Sequence, residues 1–191
     1  MEHLINYLKE VIPVSPQAEN FITLISKKIN CVKGEILLRE GQSVNKMYFV
    51  IDGCLRSYCT DKNGKEHTLQ FAIKNWWISD YSAITTKRPS QLNIECLKDG
   101  QLIEINAQDM EKLRTIYPEF ADVQRKNTEA HLVSLQERIL SQLQLSGTER
   151  YNIFLKKHPD MEQSIRNYHI ASYLGITQES LSRIRAEKAR K

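Results

Sequence analysis

YHIASYLGITQESLSRIRAEKA, residues Tyr168–Ala189, spells two short helices hinged at a glycine, Gly175. The first runs from about Arg166 to Leu174, with Ile170 and Leu174 inward and small Ala171 letting the second helix approach. Gly175 permits the positive φ of the turn. Thr177 is placed to cap the second helix, but Ser180 stands three residues later where a full capping box needs Glu or Gln, so the cap is partial. Leu181 and Ile184 anchor that helix to the first. These anchors leave Gln178, Glu179, Ser182, Arg183 and Arg185 outward, side-chain types that read base edges and bond phosphates. The spacing is that of a DNA-binding helix-turn-helix. A helical hairpin with a merely solvated charged face is the plainer alternative. The coincidence of Ala, Gly, a capping Thr and apolar anchors at the required offsets favours the DNA reading.

The charge distribution points the same way. From Arg150 to Lys191 there are nine Lys and Arg against four Asp and Glu, whereas the first 149 residues carry 18 against 19. The basic end is the helix-turn-helix end, as an electrostatic footprint on phosphates requires, although an excess of this size also occurs on ordinary surfaces. At 191 residues the chain has the length of one large domain, or of a medium one plus a small one. No apolar run approaches a membrane span, and MEHLINYLKEVIPV lacks the order of a secretion signal, so the expectation is a cytoplasmic protein with no membrane partner. Cys31, Cys54, Cys59 and Cys96 lie 23, 5 and 37 residues apart, which matches no zinc or iron-sulfur spacing. They read as reduced structural thiols, and no metal site is expected.

Working back from the hinge, the chain divides into three zones. Residues 1–117 form the first. Its opening 28 or so residues are helical in pattern, with Leu4, Ile5, Leu8, Val11 and Ile12 on one face and a second amphipathic piece around Phe21 to Ile29. From Cys31 to about Asn106 short apolar or alternating runs are punctuated by turns, with Asn63-Gly64 and Asp99-Gly100 as hairpin turns. That pattern predicts a small antiparallel β-roll, a jelly roll. A short helix over Ala107–Tyr117 follows. Residues 118–145 form the second zone, one long helix on which Leu132, Leu135, Ile139 and Leu143 follow at three, four and four residues, with Val133 and Leu140 widening the stripe. A stripe this wide can serve a symmetry mate as well as the roll, and two-fold symmetry is what a helix-turn-helix needs to read paired half-sites. A helix that only covers the roll is the alternative. Residues 146–191 form the third zone. The fold class is α+β. No nucleophile, base and orienting group come together, and no phosphate-cradling glycine loop is present, so no catalytic residues are assigned.

β-roll, long helix, helix-turn-helix, in that order and over nearly the whole chain, resembles the cyclic AMP receptor protein and fumarate-nitrate regulator family of bacterial transcription factors. The specific stretches are VKGEILLREGQSVNKMYFVIDGCLRSYCTDKNGKEHTLQFAIKNWW (Val32–Trp77) and HIASYLGITQESLSRIR (His169–Arg185). The resemblance implies a cyclic-nucleotide-binding-like β-roll as sensor, a dimerisation helix, a homodimer on double-stranded DNA, and RNA polymerase as a further partner. It places Gln178, Glu179 and Arg183 at the base-reading positions: Arg183 for guanine, Glu179 for the cytosine amine, Gln178 for adenine. Thr177, Ser182, Arg185 and Lys188 are the candidate backbone contacts.

Departures from the family pattern bear on the effector. Members that bind cyclic AMP hold its ribose with a Gly-Glu pair and its phosphate with an Arg-Ser or Arg-Thr pair. Here the two places read Trp77-Ile78-Ser79-Asp80-Tyr81 and Arg88-Pro89-Ser90-Gln91. Without the buried arginine an anion loses its charge-assisted bonds, and Asp80 adds repulsion, so cyclic AMP is not the expected effector. Arg88 reaches a phosphate only if the loop register differs by two residues. Trp77, Asp80, Tyr81, Arg88, Ser90 and Gln91 line the candidate pocket, with Trp76, Asn93 and His67 nearby; a small-molecule effector fits there, and core packing of the Trp pair is the alternative. No cofactor is assigned. The family's β-hairpin wing has no counterpart before Lys191, and RAEKARK (Arg185–Lys191) offers charge in its place. A small-molecule-binding or interaction module that no longer reads DNA is the competing function.

Overall fold

The computed structural model describes residues 1–189. Helices α1 (Glu2–Lys9) and α2 (Pro16–Ile25) open the chain. α2 begins where Ser15 Oγ accepts from the Ala18 amide and Pro16 takes the first turn, whose N–H has no helical partner in any case. Leu4, Leu8, Ala18 and Ile22 bury the inner faces of both helices against Phe49 and Ile103 of the sheet.

Six strands form an antiparallel roll: β1 (Ser26–Cys31), β2 (Ile36–Leu38), β3 (Lys46–Thr60), β4 (Glu66–Ala72), β5 (Trp77–Ile78) and β6 (Asn93–Asn106), with helix α3 (Tyr81–Thr86) between the last two. The order is β1-β6-β3-β4, with β2 also on β6 and β5 also on β3. β4 therefore has a single strand neighbour and forms an edge. Its turn from β3 falls at Asn63-Gly64 as the sequence predicts, closed by Asp61 Oδ1, which accepts from the amides of Asn63 and Lys65.

Two expectations about the strands are corrected. The stretch Ser26–Ile29 is strand and not helix: β1 pairs with β6 from Ser26↔Ile105 to Cys31↔Gly100. Its two lysines obscured a strand at the sheet edge, where charge is common. Asp99-Gly100 is also no hairpin turn. β6 runs through it and pairs with β3 from Lys46↔Asn106 to Tyr58↔Asn93, with bulges around Asp52 and Cys54. The glycines there serve a close backbone approach instead: a Cβ on Gly100 would lie 2.1 Å from the Asp52 carbonyl oxygen, and one on Gly53 2.9 Å from the Gly100 Cα.

α4 (Ala107–Ile116) and the long helix α5 (Phe120–Gln144) follow. Only Phe120 and Val123 of α5 are fully buried. Ser146 then opens α6 (Gly147–Lys157) through a complete capping box with Glu149. α7 (Met161–Ser164), α8 (Asn167–Leu174) and α9 (Gln178–Ala189) complete the described chain. The helical end shares one apolar cluster with the roll: Cys54, Phe71 and Leu97 of the strands pack with Tyr151, Phe154, Ile170, Leu174 and Leu181. All four cysteines are free; Cys31, Cys54 and Cys96 are buried and Cys59 half-buried.

Candidate nucleic-acid interface

α8 ends on Gly175 in the left-handed region, φ 67°, and its cap bonds run from the Gly175 and Ile176 amides back to the Ser172 and Ala171 carbonyls. Thr177 Oγ1 accepts from the Ser180 amide at 3.2 Å, which starts α9. Leu181 is fully buried and Ile184 packs beside it. With that side fixed, Gln178, Glu179, Ser182 and Arg183 are all exposed on the opposite side of the helix. Arg183 Nη2 donates to Ser180 Oγ at 3.3 Å, which orders its stem without occupying the whole guanidinium. Glu179 is held below the usual carboxylate range by its own backbone N–H and by the Thr177 hydroxyl, so it stands as an ionised acceptor. Lys188 is exposed, its Nζ 5.7 Å from the Tyr151 ring centre. Arg190 and Lys191 of the basic tail lie outside the described residues.

Arg185 departs from its expected place. Its Nε donates to Tyr151 Oη at 2.9 Å, its Nη1 to Asn167 Oδ1, and its Nη2 to the Glu162 carbonyl at 3.3 Å. Each guanidinium nitrogen bonds to α6, α7 or α8, so the side chain ties α9 down.

Along α5 the stripe residues remain open. Leu132, Ile139 and Leu143 are 62%, 56% and 77% exposed, Val133 and Leu140 are also exposed, and Leu135 is half-buried. The roll does not cover them. Burying one such side chain is worth roughly 1.5–3 kcal/mol.

The candidate effector pocket is closed on itself. Asp80, 3% exposed, accepts from the Ala83 amide through Oδ1, capping α3, and through Oδ2 from Ser90 Oγ at 2.9 Å and the Gln91 amide at 3.1 Å. Its carboxylate thus sits on the donors that an anionic ligand would need. The remaining candidates scatter: Arg88 is exposed, half-buried Trp77 meets the Phe49 ring at 5.1 Å with a tilt of 54°, and Tyr81 faces His131 of α5 at 6.4 Å. Trp76 is half-buried against the roll interior and Trp77 against the cluster under α1 and α2, so the pair packs on two separate clusters. His67 pairs with Asp61 at the β-turn and Asn93 accepts from the Glu40 amide, away from any shared cavity. A neighbouring groove of ≈ 440 Å³ runs from Leu37 to Tyr48, and its one cation, Lys46, is paired with Glu104 at 3.0 Å.

Sequence reading missed the junction of roll and helices. Arg56, 2% exposed, is held by Glu66 at 2.5 Å and Glu95 at 2.6 Å and lies 3.9 Å over the Tyr58 ring. His169 of α8 is buried nearby; burial, then Arg56, Arg166 and Lys33, push its pKa down to about 4. The available signal was an Arg inside the apolar run Cys54–Tyr58, which demands partners if the strand is buried on both faces.

Comparison with known proteins supports the arrangement. Residues 28–117 match the model of the cyclic nucleotide-binding domain. The anaerobic regulatory protein of Haemophilus influenzae is 24% identical over 172 residues, which cover 84% of this chain. The fold is shared with FixK2 from Bradyrhizobium japonicum (TM-score 0.75, 20% identity, 85% of this chain and 84% of that one). It is also shared with a protein from Eubacterium rectale described as a candidate transcriptional regulator of the Crp/Fnr family (TM-score 0.74, 19% identity, 97% and 88%). The chain thus carries a cyclic nucleotide-binding domain and has the fold of that Crp/Fnr-type structure. Its α+β architecture, a cyclic-nucleotide-binding roll followed by helices, is shared with these structures. The chain spans 66% of the length of the H. influenzae relative and 62% of the one from Pasteurella multocida. Both of these relatives are named anaerobic regulatory proteins. No helix among the described residues is long and apolar enough to cross a membrane.

Proposed function

We propose that the chain is a homodimeric, sequence-specific DNA-binding transcription regulator that acts without cyclic AMP. The observation that carries this reading is the division of α9: one side is locked by Leu181, Ile184 and Arg185, while Gln178, Glu179, Ser182 and Arg183 stand free together. Those four offer the bidentate donor, the carboxylate acceptor and the amide that discriminate base pairs in the major groove. Thr177 and Lys188 serve the phosphates, which position the helix. The open stripe Leu132, Leu135, Ile139 and Leu143 supplies the two-fold contact. RNA polymerase is the partner through which such a dimer would act.

Selection from random duplex DNA by the purified protein, with no effector added, tests this. The expected product is a two-fold symmetric sequence with half-sites about one helical turn apart. No enrichment, with a monomer by sedimentation, would contradict it and favour a module that binds small molecules or proteins.

A further inference from the structure

The edge strand β4 has outward-facing backbone groups that no strand satisfies, and such an edge is ordinarily covered or blunted. Here side chains of the helical end cover it. The Glu66 amide donates to Tyr168 Oη at 3.2 Å and the Thr68 amide to Ser172 Oγ at 2.9 Å, while Ser172 Oγ donates back to the Glu66 carbonyl at 2.8 Å. The ladder between β3 and β4 shifts between Ser57 and Tyr58, which leaves Leu69 without a partner residue. The Leu69 carbonyl accepts from Arg138 of α5. Arg138 in turn lies 4.7 Å over the ring of Tyr173, and Tyr173 packs at 4.9 Å on Phe71 of β4.

We infer that this seam between β4 and α8 is a positioning interface that fixes the helix-turn-helix on its own roll with the reading face of α9 left open. Tyr168, Ser172 and Arg138 are its positioning residues. The seam uses α8, whereas Gln178, Glu179, Ser182 and Arg183 all lie on α9 and remain exposed. An inhibitory contact would cover that face; this one leaves it free. Every polar contact of the seam is made within the chain itself. The inference rests on the proposed DNA-binding function for its consequence, but the seam itself is measurable without DNA.

Amide exchange of the effector-free protein, followed by affinity measurements on an enriched duplex, tests it. Glu66 and Thr68 should exchange slowly in the wild type, although they belong to an edge strand. Ser172→Ala should speed Thr68 exchange about tenfold or more and weaken duplex binding several-fold, with the preferred sequence and the salt slope unchanged, because no phosphate contact is lost. Tyr168→Phe, which deletes a single acceptor, should speed Glu66 alone. Fast exchange at both amides in the wild type would overturn the seam. Tighter DNA binding by Ser172→Ala would overturn its positioning role and make it an inhibitory latch. Slow amides in a protein that enriches no duplex would leave the seam standing and remove the DNA-binding function.

Discussion

The loop from Ser79 to Leu92 and the outer face of α9 are both rich in hydrogen-bonding groups, yet the first satisfies itself and the second does not. Asp80, Ser90 and the Gln91 amide bond one another in a buried knot. Gln178, Glu179, Ser182 and Arg183 stay in solvent. Polar groups buried with partners inside the chain are structure, and groups held in place but left in solvent are available for recognition. By this criterion the loop from Ser79 to Leu92 is scaffold, while the outer face of α9 is left available.

The largest effect that would break the comparison comes from the dimer. Ile139→Glu with Leu143→Glu should give a monomer by sedimentation and weaken duplex binding at least about 100-fold, because one half-site then binds alone. A dimer that persists would move the two-fold contact elsewhere. Next, Arg183→Ala should cost about 10- to 100-fold on the preferred duplex and relax one base position, while Lys188→Ala should weaken all sequences modestly and lower the salt slope by about 1. Equal effects of both changes on every sequence would contradict the assignment of reading and phosphate roles.

On the scaffold side, Asp80→Ala removes a helix cap and leaves the Ser90 and Gln91 donors unpaired, so urea unfolding should show a loss of about 1–3 kcal/mol. Unchanged stability would mean that the loop is not held by its own carboxylate. An effect of similar size, about 2 kcal/mol, is expected from His169 between pH 7.5 and pH 5. Its folded pKa is pushed down to about 4 by burial, with the Arg56 guanidinium adding to the effect. Through that window the unfolded chain takes up a proton that the folded one refuses, so stability falls with pH, and the fall flattens below about 4. His169→Gln should abolish that share of the pH dependence in urea titrations; an unchanged slope would place it on other groups. His131 and His158, also pushed down by burial, act in the same direction in both proteins.

Local signals carried most of the helical end and little of the roll's connectivity. Gly175, Thr177 and the apolar anchors are read at short range, so α8, the turn and α9 fall within a residue or two of their expected places. The Asp99-Gly100 pair reads like a turn because a glycine's reason is invisible in sequence: here it is the approach of Asp52, 48 residues away along the chain. Likewise Arg185 has the composition of a phosphate contact, and only the positions of Tyr151, Asn167 and Glu162 show its other use. The departure of Asp80 from the family's Gly-Glu pattern was legible; that it bonds Ser90 and caps α3 depends on the loop's closure.

The most direct test is a fluorescence anisotropy titration of the selected duplex with effector-free protein, repeated with saturating cyclic AMP. Specific binding with the same Kd in both titrations is the predicted result. Binding that appears only with the nucleotide, or tightens tenfold with it, would contradict the account and reopen the loop closed by Asp80.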